Sequence, residues 1–169
     1  MIKIKKDNLT KENLMKIKNL DSLFYKEDIL TDEWYLERYN SNHSGIFLYD
    51  DEICIGYLVS IPITKELYKA IINGVIINDL YINPKMILNK SKYNYIVSSL
   101  IKEEYRNIGY GKLMMEELFK VKGKYCALTI TKEGYSLANK YMKHKLKINN
   151  QVNVFIKTIW YFFVKKEAI

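Results

Sequence analysis

The stretch Arg106-Asn107-Ile108-Gly109-Tyr110-Gly111 constrains this chain more than any other. An extended apolar run, Tyr95 to Ile101, leads into it, and an amphipathic run, Lys112 to Phe119, leads out. A strand therefore feeds a glycine-bearing turn, and the turn opens a helix. The first backbone N–H groups of a helix have no internal partner, and the aligned peptide dipoles place partial positive charge there. Two glycines let the phosphates of a ligand approach that backbone without meeting a Cβ. Arg106 adds a forked cation at the mouth. Strand, arginine, Gly-x-Gly and helix, in that order, point to a site for a phosphate-bearing ligand.

A Gly-x-Gly in a turn is by itself only a tight connection, so the weight lies on its context. A dinucleotide-binding turn is the alternative. It asks for a third small residue three positions beyond Gly111, where Met114 stands. It also asks for an acidic residue about 20 positions on, at a strand end. Lys132-Glu133 comes close to that spacing, which leaves the alternative open. The missing small residue argues against it.

The rest of the chain supplies alternating strands and helices. Ile2-Lys3-Ile4 alternates as a first strand. Thr10 suits a helix N-cap, with Leu9 and Leu14 placed to staple across it, and the helix is predicted to run to about Leu20. Asp21 to Leu30 reads as a loop carrying Phe24-Tyr25 and the acids Glu27 and Asp28; Thr31 caps a short helix from Asp32 to Tyr39. Gly45–Tyr49 and Ile53–Ile61 form a hairpin across Asp50-Asp51-Glu52, with Gly56 marking a bulge or close approach and Pro62 the end. Within 64–92, Lys65 to Ile72 fits a helix broken by Gly74, and Asn83-Pro84 a turn. Then follow a strand at Asn94–Ile101, a helix at Tyr110–Lys122 stopped by Gly123, a strand at Tyr125–Thr131 and a helix at Tyr135–Lys145. After a turn at Asn149-Asn150-Gln151, the tail Val152–Val164 reads as one strand or a pair. Strand–helix–strand around the glycine turn implies a right-handed parallel crossover.

Composition narrows the partners. A net charge of +8 invites nucleic acid, but the lysines are spread along the chain with no run long enough to make an arm. The reading is therefore against nucleic acid. Cys54 and Cys126 lie in apolar runs and never cluster with histidine, so no metal site is expected. Met1 to Lys6 alternates and does not form an apolar block, so no signal peptide is expected. The run Ile159–Val164 is shorter than the ~20 residues a bilayer span needs. The expectation is a cytoplasmic protein with no membrane partner.

The segment Ile101-Lys102-Glu103-Glu104-Tyr105-Arg106-Asn107-Ile108-Gly109-Tyr110-Gly111 resembles motif A of the GNAT acetyltransferases. Glu103 stands where many members carry proline, which leaves the phosphate grip untouched. The likeness is best over 93–146, with weaker echoes from Ile2 to Pro62. It implies an α/β (α+β) fold: one GNAT-like domain over residues 1–169, with a mixed, mostly antiparallel sheet, a splayed parallel strand pair and flanking helices. It implies acetyl-CoA or coenzyme A as co-substrate, held by the backbones of Leu100 and Ile101 and by Arg106, Asn107, Ile108, Gly109, Tyr110, Gly111 and Lys112.

The implied chemistry is acetyl transfer to a primary amine by direct attack in a ternary complex. The departing thiolate needs a proton, which a positioned tyrosine can give. Tyr141-Met142-Lys143-His144-Lys145-Leu146 resembles the family's Tyr-x-Lys-x-Gly-Phe ending and makes Tyr141 the expected acid. Lys145 and Leu146 depart from that pattern, and a one-residue shift would put Met142 in the acid's place. The acceptor class is a small-molecule or peptide amine. The base is not assigned: Glu27, Asp28, Glu37 and Asp79 border the expected substrate side, each read as a surface carboxylate, while His144 reads as a solvated helix residue and His43 as a loop residue. The aromatic tail strand is a possible edge for a homodimer. A coenzyme A-binding module without turnover would share all of this but have no need of Tyr141.

Overall fold

The computed structural model describes residues 1–24 and 31–160. Among them, strands β1 (Ile2–Asn8), β2 (Ser44–Asp50), β3 (Ile53–Pro62), β4 (Tyr93–Ile101), β5 (Gly123–Thr129), β6 (Lys143–Ile148) and β7 (Val152–Ile159) form one sheet. Its order is β1-β2-β3-β4-β5-β7-β6. The β4–β5 pair is parallel and the other pairs are antiparallel. Helices α1 (Lys11–Phe24), α2 (Asp32–Arg38) and α3 (Lys65–Ile72) pack on one face, α4 (Tyr110–Leu118) and α5 (Lys132–Tyr141) on the other. This is the mixed, mostly antiparallel α/β architecture expected from the sequence.

Local chemistry explains the helix starts. Thr10, Thr31, Thr64 and Thr131 each accept a hydrogen bond from an N–H three residues on, at 3.1–3.3 Å. Each such bond satisfies one orphan donor of the first turn. Leu14, Ile17 and Leu20 then bury one stripe of α1 against the sheet, with Leu9 packed in the same cluster.

The feature that positions a site lies at the centre of the sheet. β4 and β5 pair only from Tyr93–Ile96 against Lys124–Ala127. Beyond that, β4 stays with β3 as far as Ile101 opposite Gly56, while β5 stays with β7 as far as Thr129 opposite Asn153. The two strands therefore splay. The β3–β4 register shifts between Val59 and Ser60, which leaves Val97 as an extra residue where β4 leaves β5. Such a bulge bends its strand and ends the local ladder.

Several boundaries differ from the sequence reading. α1 continues through Asp21 to Phe24 and is helical where a loop was expected. α4 stops at Leu118, short of Lys122, and Gly123 opens β5, because strand pairing already begins with Lys124 N–H on Lys92 O. α5 starts at Lys132 and ends at Tyr141, so His144 and Lys145 belong to β6 and not to a helix. Lysines at alternate positions hid that strand, and pairing with β7 decided it. The tail strand is not an edge: β7 lies between β5 and β6. Glu27, Asp28 and residues 161–164 lie outside the described residues.

Candidate active site

The turn after β4 is built by its own backbone. Glu103–Tyr105 forms a 3-10 turn, closed by Arg106 N–H on Glu103 O at 3.1 Å. Asn107 and Gly109 are both left-handed, at φ 62° and 98°. Two left-handed residues in three turn successive N–H groups toward one side, the geometry of an anion-binding nest. The first bond of α4 runs from Leu113 N–H to Gly109 O, 3.2 Å. Among the described residues, no backbone carbonyl accepts from the N–H groups of residues 107–112. They lie at the positive end of the helix dipole.

The two glycines have different duties. A Cβ built at Gly109 meets nothing within 4 Å, so its demand is conformational. A Cβ at Gly111 would come within 3.1 Å of Leu137 Cδ1 and 3.9 Å of Ile101 Cδ1. Gly111 therefore lets α4 approach α5, where open space for a phosphate was expected.

Arg106 is spent partly on the chain itself. Its Nε donates to Ile101 O at 2.8 Å, and its guanidinium lies 4.5 Å from the centre of the Phe24 ring. It braces the turn against the last turn of α1. Lys112 is exposed, 3.8 Å from Glu116. Leu100 and Ile101 differ although both were expected to act through backbone. Leu100 O lies 2.9 Å from where a Gly56 Cβ would sit, so it faces β3. Lys102 N–H also donates to β3, at Ile55 O, 2.9 Å away. Alternation then turns the backbone of Ile101 into the opening left by β5.

Tyr141 ends α5. It is half-buried and packs in the cluster that holds Ile101, Tyr110 and Leu137, and its hydroxyl has no hydrogen bond among the described residues. Met142, the one-residue alternative, is buried in that same core, and its N–H closes on Ala138 O at 2.8 Å. Tyr141 thus sits at the border of that core.

The opposite face carries polar groups that the sequence reading missed. Asp21 accepts from Tyr35 OH at 2.6 Å on one oxygen and from Tyr57 OH on the other. Tyr57 OH also lies 2.7 Å from Ser98 Oγ on β4. Burial pushes the Asp21 carboxyl up, against the two phenols that hold it down. The stripe Leu14, Ile17, Asp21, Phe24 follows helical spacing, so extending α1 by one turn would have placed Asp21 among apolar residues and demanded partners for it. Asp79, read as a surface carboxylate, instead turns inward and accepts from Tyr95 OH. Burial raises it to about 6, opposed by Tyr95 and Arg38. Glu37 is exposed, 3.4 Å from Arg38.

The histidines are both placed by partners. His43 is buried, with Nε2 2.9 Å from Leu88 O and Nδ1 facing Asn40 N–H, and burial lowers its pKa. His144 is exposed on β6, 3.2 Å from Asn153 Oδ1. Cys126 is buried and its thiol pKa is pushed up by desolvation, while Cys54 is half-buried; both are free. Among the described residues, no cluster of three His, Cys, Asp or Glu could hold a metal, and no helix is long and apolar enough to cross a membrane.

The sequence model of the acetyltransferase (GNAT) family matches residues 12–133, which spans α1 to the start of α5 and includes the whole turn. This chain belongs to the GNAT acetyltransferase family. A comparison with curated proteins by sequence found no match. Solved structures share its fold. Arabidopsis thaliana NAA60 in complex with acetyl-CoA superposes with a TM-score of 0.65 at 16% identity, covering 94% of this chain and 100% of that one. Arabidopsis thaliana Naa50 in complex with the bisubstrate analogue CoA-Ac-MVNAL gives 0.61 at 14%, covering 92% and 98%. The ribosomal-protein-S18-alanine N-acetyltransferase from Escherichia coli gives 0.64 at 7%, covering 100% and 99%. At these identities the likeness is one of fold.

Proposed function

We propose that this protein transfers an acetyl group from acetyl-CoA to a primary amine, by direct attack in a ternary complex, and that residues 1–169 act as one domain. The observation that carries this is the row of N–H groups at 107–112 with no backbone acceptor among the described residues, in the turn that follows β4 after it has parted from β5. The row suits a pyrophosphate: several aligned donors, a helix dipole and open space at Gly109. The opening suits an extended amide-bearing arm, since the Ile101 N–H can donate there as in an added strand, its carbonyl already accepting from Arg106 Nε at 2.8 Å. The Naa50 and NAA60 structures, complexes with a CoA bisubstrate analogue and with acetyl-CoA, favour the same ligand.

Acetyl-CoA supplies the thioester as an activated acyl donor. Residues 107–112 would hold its phosphates and Ile101 its amide arm. Backbone N–H groups facing the opening would stabilise the oxyanion as the amine attacks. The Tyr141 hydroxyl would give the departing thiolate its proton, at the cleft border where its oxygen has no competing partner among the described residues. The acceptor is a small-molecule or peptide amine, and the site is a cytoplasmic one in this reading.

Thermal unfolding with ligands tests it. Acetyl-CoA and coenzyme A at 100 times Kd should stabilise by about 2.7 kcal/mol. That corresponds to a Tm rise of roughly 5–10 °C for a chain of this size. NAD and NADP should raise Tm much less, and an equal shift with them would replace this reading with a dinucleotide site. Binding of acetyl-CoA without thiol release across a broad amine panel would leave a coenzyme A-binding module instead.

A further inference from the structure

The splay gives β4 two sides, and Ser98 stands on the one that faces α1 to α3. It lies two residues past Ile96, the last β4 residue paired with β5, and it is half-buried. Its hydroxyl is the outer end of a chain of hydrogen bonds through Tyr57 to Asp21. Tyr57, the middle link, is fully buried, while Asp21 at the inner end is half-buried.

The direction of the chain follows from counting protons. Asp21 is a carboxylate that accepts on both oxygens, from Tyr35 and from Tyr57. A phenol has one proton, and Tyr57 gives it to Asp21. Ser98 must then be the donor in its 2.7 Å contact with Tyr57. That leaves the lone pairs of Ser98 Oγ as its remaining capacity, an acceptor presented beside the opening. On the other face stands Tyr141, a donor. The sheet thus carries a proton acceptor on one side of the opening and a proton donor on the other.

We propose that Ser98, Tyr57 and Asp21 relay away the proton that the acceptor amine must lose, with Asp21 as its terminus; this rests on the acetyl-transfer reading above. An ammonium N–H bond breaks and its proton goes to Ser98 Oγ. Ser98 passes its own proton to the Tyr57 oxygen, and Tyr57 passes its phenolic proton to Asp21 Oδ1. One proton moves, no electrons are exchanged, and both hydroxyls are neutral before and after. The amine is left with a free lone pair for the thioester carbonyl. Reversal after product departure returns the proton to solvent. Ser98 is the residue that touches the amine; Tyr57 and Asp21 act through it.

The surroundings suit a terminus that can hold a proton. Tyr35 and Tyr39 approach from α2, Tyr57 from β3 and Ser98 from β4; on α1 itself the Lys18 ammonium is taken by Asp32. Burial raises the Asp21 pKa, which favours the protonated form the relay must reach. Asp21 also lies one turn before Phe24, the ring under Arg106, so one helical turn supports both the relay and the phosphate-binding turn.

The test is Ser98→Ala, which keeps Asp21 paired with both tyrosines and so should fold. Thiol release is followed from pH 6 to 10 with two acceptors. One is Nα-acetyl-lysine methylamide, with an amine pKa of about 10.4, and the other an alanyl tripeptide amide, with one of about 8. At pH 7, kcat/KM should fall by about 10²-fold with whichever acceptor the wild type uses. The deficit should close as pH approaches that amine's pKa, where the amine is already neutral. Asp21→Asn should share this profile, and calorimetric Kd for acetyl-CoA should be unchanged in Ser98→Ala. A loss independent of pH, or no loss in an active background, overturns the relay alone. Failure of the wild type to release thiol with these amines and with the rest of the broad amine panel overturns the acetyl-transfer reading and the relay with it.

Discussion

On the α4/α5 face, the groups that suit a ligand are neighbours in the chain, residues 106 to 112, and nearly all are backbone N–H groups. On the α1–α3 face, the polar groups come from residues 21, 35, 57, 79, 95 and 98, and all are side chains. The N–H groups of residues 107–112 have no backbone acceptor among the described residues, and several of those residues are exposed. The second set is linked by side-chain hydrogen bonds around the buried rings of Tyr35, Tyr57 and Tyr95, where an unpaired group costs about 1–3 kcal/mol. The difference predicts different sensitivities. Side-chain identity should matter little in the turn except where a backbone angle or a helix contact depends on it. On the other face, single atoms should matter.

Tyr141→Phe makes the largest test of this contrast, because it is the one side-chain atom on the α4/α5 face argued to take part in chemistry. The hydroxyl has no partner among the described residues, so packing and acetyl-CoA affinity should hardly change. Turnover should fall by about 10²–10⁴-fold, in kcat and not in Kd, as expected for a group used only in the transition state. Steady-state thiol release beside calorimetry measures it. Unchanged turnover would leave that face with backbone groups alone.

Asp79→Asn tests the other face through stability. The folded carboxyl is raised to about 6, above its ordinary 3.8, so the folded state holds its proton more tightly than the unfolded chain. The protonated form therefore contributes its stabilisation fully below about pH 4, and that contribution is lost as pH rises through 6. The loss is on the order of 3 kcal/mol at most for a shift of that size. Urea unfolding of the wild type should show this decline between pH 4 and 7. In Asp79→Asn, whose amide oxygen still accepts from Tyr95, the decline should be smaller by that amount. Parallel curves for the two proteins would mean Asp79 meets water.

The smallest effects separate the two glycines of the turn. Gly109→Ala forces a Cβ into a left-handed position, a strain of roughly 1–2 kcal/mol. Because that angle helps aim the N–H row, acetyl-CoA binding should weaken by about tenfold. Gly111→Ala presses on the end of the flexible Leu137 side chain but gains about 1 kcal/mol of helix propensity. Stability should shift by under 1 kcal/mol, with Kd unchanged. Equal losses of binding at both positions would mean that Gly111 also faces the ligand.

These contrasts follow what could be read from the chain alone. The turn from Arg106 to Gly111 was legible because its requirements are local: an arginine, two glycines and a helix start lie within seven residues. The β2–β3 hairpin was legible for the same reason, as Asp50-Asp51-Glu52 joins two apolar runs directly. Tyr141 as the acid rests on resemblance alone, and its one-residue alternative Met142 is buried. The end of α1, the strand β6 and the inward turn of Asp79 were not legible. Each depends on what packs against it: β7 for β6, Tyr57 and Tyr35 for Asp21, Tyr95 for Asp79.

By itself, then, the sequence determined which segments are strand or helix wherever capping threonines, glycines and apolar period agreed, and it determined where a glycine turn opens a helix after the central strand. Only the tertiary structure decided that β4 and β5 part after Ile96 and Ala127, that Gly111 serves a helix contact, and that Asp21, Tyr57 and Ser98 meet across 77 residues of chain. The physical reason is range. Backbone preferences and end caps act within one or two turns, whereas burial and hydrogen-bond satisfaction are settled among residues that only the folded sheet brings together.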